Sequence, residues 1–281
     1  MCLDTTAIER LPRVRAGLNF ILPSTEKPCS YEYDPPAGMP RTTASYEERT
    51  VAIHNMRSVA AEFSLEREGV RLVTAPSEVS DFYDEAQVRN LYYPEAEQLV
   101  ADLTGASRVV IFDHTIRRRI EGAADRTTGV PRQPVPRVHV DYTVKSGPQR
   151  VRDLLAEEAD QLLRHRFSVV NVWRPIRGPL QDSPLAVSDA SSVHFDDLVP
   201  IDLVYRERTG EIYMLKFNPS QRWFYAPRMT SDEVLAFKCF DSAEDGRARF
   251  APHAAFEDPT APLDAWPRES IELRVLAFHA G

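Results

Sequence analysis

FSVVNVW (167–173) opens a stretch that reads as one short strand after another: PLAVSD (184–189), PIDLVYRE (200–207), EIYMLKF (211–217), RWFYAP (222–227), VLAFKCF (234–240), ARFAPHAAF (248–256) and SIELRVLAF (270–278). Strands this short and this numerous, divided by turn residues, predict a sandwich or barrel of β-structure. Upstream, RVVIFDHTI (108–116) and VHVDYTV (138–144) extend the same pattern. One helix interrupts it, predicted from Pro148 to about Arg166, with Val151, Leu154, Leu155, Leu162 and Leu163 at helical spacing and a basic last turn. The segment 117–136 is charged, then rich in Gly and Pro, and reads as a mobile loop.

The N-terminal third is mixed. GLNFIL (17–22) and TVAIHNM (50–56) read as strands and PSTEKPCSYEYDPPAGMP as a connector. Two helical stretches are predicted between Ser80 and Thr104, the second starting at Pro94 and stopping at Gly105. The expected fold is mainly β with helical additions, a double-stranded β-helix or jelly roll. The expected organisation is a single domain over 1–281: a mixed part to 107, then a jelly-roll core over 108–279 with the helix 148–166 inserted.

Composition removes several function classes. The 281 residues carry 34 Lys+Arg against 42 Asp+Glu, a net charge of −8. That balance argues against nucleic acid or an anionic membrane surface as partner. Three scattered cysteines (Cys2, Cys29, Cys239) form no disulfide framework and no Cys-x-x-Cys pair, which suits a reducing cytoplasm. The first residues have the wrong charge pattern for a signal peptide, and no apolar run approaches the ~18 residues of a membrane span. No Gly-x-Gly triplet, phosphate-binding loop, Gly-x-Ser-x-Gly elbow or His-Glu-x-x-His helix occurs.

The chemistry concentrates in VHVDYT. Residues i and i+2 of a strand share a face, so His139 and Asp141 can offer an imidazole nitrogen and a carboxylate oxygen to one ion. His253, from a distant strand, would complete a triad of two histidines and one carboxylate with open positions, the ligand set of non-haem Fe(II) oxygenases. Arg268 and Ser270, two apart at the start of the last strand, offer a guanidinium fork and a hydroxyl for the far carboxylate of 2-oxoglutarate. A second His-x-Asp, His194-Phe195-Asp196, has an acceptable spacing too, within the polar run SDASSVHFDD.

Several segments resemble one bacterial and fungal family: FDHTIR (112–117), VHVDYT, FSVVNVWRPIRGPL (167–180), PLAVSDASSV (184–193), GEIYML, RWFYAPRMTSDEVLAFKCFDS (222–242), and RFAPHAAFEDP through PRESIELR. That family includes the cephamycin methoxylation protein, gibberellin desaturase-like proteins and fungal secondary-metabolite hydroxylases and desaturases. The resemblance spans roughly residues 50–279. It implies an oxygenase dependent on Fe(II) and 2-oxoglutarate, with VHVDYT as its His-x-Asp motif. Dioxygen and a small natural product would be the other reactants, and hydroxylation or desaturation the outcome.

One departure concerns the third ligand: many members have a histidine directly before the Arg-Trp of RWFYAP, where this chain has Gln221. Strand counting favours His253. Among the other polar residues, Arg274 rivals Arg268 for the carboxylate, and Tyr142 could bond the co-substrate. Asn171 and Trp173 share a strand face, and Arg174 is read as half of a structural ion pair. His54, His114, His165 and His279 are read as structural or exposed. Arg117–Arg119 are read as a solvated loop stem, with steering of an anionic substrate as the alternative. Two other functions fit the same residues: an iron oxygenase that does not use 2-oxoglutarate, and a non-catalytic jelly-roll subunit assisting a partner oxygenase. Assembly into a homo-oligomer is left open.

Overall fold

The computed structural model describes residues 5–122 and 131–281. In chain order its strands are β1 (Arg13–Ile21), β2 (Cys29–Tyr31), β3 (Tyr46–Asn55), β4 (Val70–Thr74), β5 (Arg108–Arg118), β6 (His139–Val140) and β7 (Phe167–Pro175). They continue with β8 (Leu185–Ser188), β9 (Leu198–Val204), β10 (Thr209–Leu215), β11 (Trp223–Tyr225), β12 (Glu233–Asp241), β13 (His253–Ala255) and β14 (Glu269–Phe278). Two sheets result. One runs β1-β3-β11-β8-β13-β6-β10-β9-β2, the other β4-β12-β7-β14-β5. Together they make the jelly roll, with the N-terminal strands added at the outer positions of both sheets.

The five-stranded sheet is buried on both faces, which explains why its central strands read as unbroken apolar runs. Every residue of β7 is buried. On one face Phe167, Val169, Trp173, Leu235, Phe237 and Leu276 pack into the core between the sheets. On the other, Val172, Leu273 and Val275 meet Ala96 and Val100 of helix Tyr93–Thr104. β1 differs: its burial alternates, as expected where one face meets solvent.

A bulge in β5 matters for the site. Asp113 pairs with Arg274 and Ile111 with Val275, so Phe112 is the extra residue. The insertion shifts the alternation by one. Asp113, Thr115 and Arg117 therefore share the face of Arg274 and line the interior cleft with it.

Three segments differ from the sequence expectation. The helix expected over 148–166 is two helices, Ser146–Leu154 and Ala159–Leu162. The acidic Glu157, Glu158 and Asp160 explain the break: carboxylates favour a helix start and disfavour an end. The turn also lets Ala159 bury and Leu162 pack against the core. The two helical stretches before Gly105 are continuous through a wide turn at Val88–Tyr92, where the Tyr93 N–H reaches back to the Val88 carbonyl. Pro94 has no N–H to give and its ring crowds the preceding turn, which a widened turn relieves. Helix Tyr93–Thr104 then ends as expected, at Gly105 with φ +68°. Finally, VHVDYTV forms only the two-residue β6, and β2 lies inside the expected connector. Residues 123–130 of the expected 117–136 loop lie outside the described residues.

Candidate metal centre

His139 on β6 and His253 on β13 are direct partners across an antiparallel pair. Their ring centroids stand 4.4 Å apart. Asp141, just past the end of β6, turns the same way, and its Oδ1 lies 3.5 Å from His139 Nε2. One ligand atom from each of the three residues falls within 4.8 Å of the others. The sequence stretches 138–143 and 249–256 thus meet at one point.

The donor chemistry fits a divalent cation. Nδ1 of His139 lies 2.8 Å from the Arg137 carbonyl, and Nδ1 of His253 lies 3.2 Å from the Ala251 carbonyl. Each carbonyl can only accept, so each Nδ1 donates to it and Nε2 is the ring atom left for an ion. Burial first, and the neighbouring His139 next, push the His253 pKa down to about 3, so this imidazole is neutral. Asp141 is oriented as well: its Oδ2 accepts from Asn171 Nδ2 at 2.9 Å and from Arg274 Nε at 2.9 Å. Burial works against its charge, but Arg274 and the two imidazoles outweigh it and hold the carboxyl well below the usual carboxylate range. Oδ1 is left to face the histidines.

Arg268 stands at the other end of a narrow cavity that His139 and His253 also line. Its Nε donates to Ser270 Oγ at 3.0 Å and its NH1 to the Ser183 carbonyl at 2.9 Å. Its guanidinium lies over the Trp173 ring, 5.0 Å from the centroid. Among the described residues no carboxylate forms an ion pair with this side chain. Burial, with Arg117 nearby, lowers its pKa to about 9. A buried cation in that state gains from an anion brought to it, so the residues fit the far carboxylate of a keto acid.

The remaining candidates are elsewhere or do something else. Gln221 is buried before β11, its Nε2 bonded to the Lys216 carbonyl, and it lines neither of the cavities that His139 lines. His194 and Asp196 are exposed at a short helical turn. Arg274 is committed to Asp141, Asp113 and Glu272 and orients the Asp141 carboxylate. Arg174 makes no ion pair among the described residues. It bonds the Tyr92 hydroxyl and the Ala75 and Ser231 carbonyls on the outer face of β7. Of the three arginines 117–119, Arg118 is exposed and Arg119 partly so, as expected of a solvated stem, but Arg117 turns inward. Arg117 lines the interior cleft and bonds the Gln133 carbonyl, while Arg119 pairs with Asp182. The Asp182 carboxylate in turn accepts from the Arg268 backbone N–H at 3.0 Å. Asn171 and Arg274 contact Asp141 and Asp182 contacts Arg268, three positions that sequence reasoning underused. The signal for the first two was a polar residue inside an apolar strand, in FSVVNVW and ELRVLAF.

A family model described as an oxidoreductase/YMDC permease-like domain matches residues 18–278. A hydroxylase/desaturase, efuI of Hormonema carpetanum, is 33% identical over 297 aligned positions, covering 97% of each chain. An Fe(II)/2-oxoglutarate-dependent dioxygenase, nvfI of Aspergillus novofumigatus, is 33% identical over 92% of this chain and 94% of its own. The solved structure of the iron- and alpha-ketoglutarate-dependent endoperoxidase NvfI superposes with a TM-score of 0.86 at 31% identity, covering 96% of this chain and 99% of that one. This chain belongs to the family of Fe(II)/2-oxoglutarate-dependent hydroxylases and desaturases. The family places the His-Asp-His cluster and the buried arginine in an oxidative enzyme that takes a small molecule and dioxygen. No helix among the described residues is long and apolar enough to cross a membrane.

Proposed function

We propose that His139, Asp141 and His253 hold Fe(II), and that Arg268 and Ser270 anchor the far carboxylate of 2-oxoglutarate, in a single-domain oxygenase that hydroxylates or desaturates a small natural product. The observation that carries this reading is the pairing of two imidazoles, each with Nδ1 tied to a carbonyl, with one carboxylate oriented by its outer oxygen. Bound iron, with dioxygen and the keto acid, supplies the power to remove hydrogen from an unactivated C–H bond, the keto acid leaving as succinate and CO2. The protein's own residues supply geometry. Two short strands fix the imidazoles, Asn171 and Arg274 turn Asp141 toward them, and Arg268 sets the direction from which the keto acid enters. Phe237, its ring centroid 4.5 Å from that of His253, helps close the site to water.

The buried Arg268, whose side chain forms no ion pair among the described residues, favours use of 2-oxoglutarate over an iron oxygenase without it, and the intact ligand set favours an enzyme over a scaffold subunit. Free thiols at Cys29 and Cys239 suit a reducing, cytoplasmic setting. The test is succinate formation from 2-oxoglutarate with Fe(II) and ascorbate under air. Wild type and Gln221→Ala turn over; His253→Ala does not, and retains no iron. Equal loss in Gln221→Ala, or turnover in His253→Ala, overturns the assignment.

A further inference from the structure

A cleft of about 910 Å³ opens onto His139 and Asp141. Part of its lining is apolar, from Ile201, Leu203, Ile212 and Met214 on β9 and β10. The rest is rich in charge, and the charges are not balanced. Lys27 is neutralised by Asp202 and Glu211, and Arg274 by Asp113, Asp141 and Glu272. Arg117, Arg137 and Arg150 also line the cleft, and none of them forms an ion pair with a carboxylate among the described residues. In a chain of net charge −8, three arginines that form no ion pair among the described residues line this one cleft.

Arg150 is the most telling of the three. It projects from helix Ser146–Leu154, and its Nε is buried without a hydrogen-bond partner among the described residues. Asp153, the nearest acid along the helix, accepts from Gln149 Nε2 at 2.8 Å instead. The Arg150 guanidinium lies over the Phe112 ring, 5.8 Å from its centroid. Phe112 in turn packs edge-on against Tyr142 at 6.4 Å, the residue next to Asp141. The unpaired cation therefore stands two aromatic rings from the metal-facing carboxylate. The hydroxyl of Tyr46, on the same cleft wall, is a second buried group without a partner among the described residues, and Arg137 stacks on that ring at 5.2 Å. An unsatisfied buried donor carries a cost that an acceptor on the ligand removes.

We infer that the substrate is an apolar small molecule bearing an ionised carboxylate, and that Arg150 pairs with that carboxylate in the cleft. The inference rests on the reading of the adjacent residues as the iron and keto-acid site. It adds a positional consequence: the acid end is held near the helix, and the apolar body lies along β9 and β10.

The test uses the full chain loaded with Zn(II) as a diamagnetic stand-in and saturated with 2-oxoglutarate, which covers Arg268. 4-Fluorobenzoate and its methyl ester are titrated as probes and followed by ¹⁹F NMR. The acid is expected to bind saturably and at least about ten-fold tighter than the ester, with that preference lost in Arg150→Gln and kept in Arg150→Lys. Binding of 2-oxoglutarate, followed separately by calorimetry, is expected to be the same in wild type and Arg150→Gln. An ester that binds as well as the acid, acid binding unchanged in Arg150→Gln, or no saturable acid binding overturns the inference. Failure of wild type to bind 2-oxoglutarate sinks the keto-acid reading instead, and is read in its own arm.

Discussion

β14 and the β6–β13 pair hold opposite sides of the same centre by different means. β14 has ten residues, hydrogen-bonded along most of its length to β5 on one side and β7 on the other. Arg274 and Ser270 are placed by that register, one on each side of Glu272, with Arg268 just ahead of the strand. β6 has two residues and β13 three, joined by the single pair His139–His253. There the imidazoles are set by their own Nδ1 bonds to nearby carbonyls, with the Asp141 carboxylate beside His139. A long covered strand supplies rigidity, and two short ones leave room for reactants. The link between the two regions is the Arg274–Asp141 contact at 2.9 Å.

That division predicts which changes are felt where. Asp141→Ala should have the largest effect on the centre: iron retention and succinate formation are lost, while the fold survives because Arg274 keeps Asp113 and Glu272. Metal analysis of the purified protein beside its unfolding curve checks both halves. Arg274→Met acts from the rigid side and should do two things. It leaves a buried carboxylate short of its cation, costing about 3–5 kcal/mol in urea unfolding, and it weakens iron affinity roughly 10–100-fold. If stability falls without any change in iron affinity, the two regions are not coupled as described. Arg268→Gln should raise the KM for 2-oxoglutarate about 10–100-fold, the value of one charged hydrogen-bonded pair, with iron affinity unchanged. The smallest effect is expected from Asn171→Ala, roughly ten-fold in iron affinity with Arg274 still in place. A larger loss there than in Arg274→Met would reverse the assigned roles of the two partners of Asp141.

The same contrast explains how much could be read from the sequence. The strands of the five-stranded sheet are long, apolar and buried on both faces, so FSVVNVW, VLAFKCF and SIELRVLAF announce themselves. His139, Asp141 and His253 were legible as residue types with the right separation, although the strands that bear them are too short to be delimited by pattern. Arg274 and Asn171 were visible as polar intrusions in apolar strands, but their partner was not: which carboxylate they hold depends on the β5 bulge and on how the two sheets face each other. Arg117 was misread for the same reason. A one-residue insertion at Phe112 turns it inward, and no local feature of FDHTIRRR reports that. The break within 148–166 was legible in principle, because Glu157-Glu158 is a better helix start than helix interior.

The most direct test is an anaerobic crystal structure of the protein with Fe(II) and 2-oxoglutarate. The account predicts one ion bonded to Nε2 of His139, Oδ1 of Asp141 and Nε2 of His253, with the far carboxylate of the keto acid against Arg268 and Ser270. An ion bound through Gln221 or His194, or a keto acid directed away from Arg268, would contradict it.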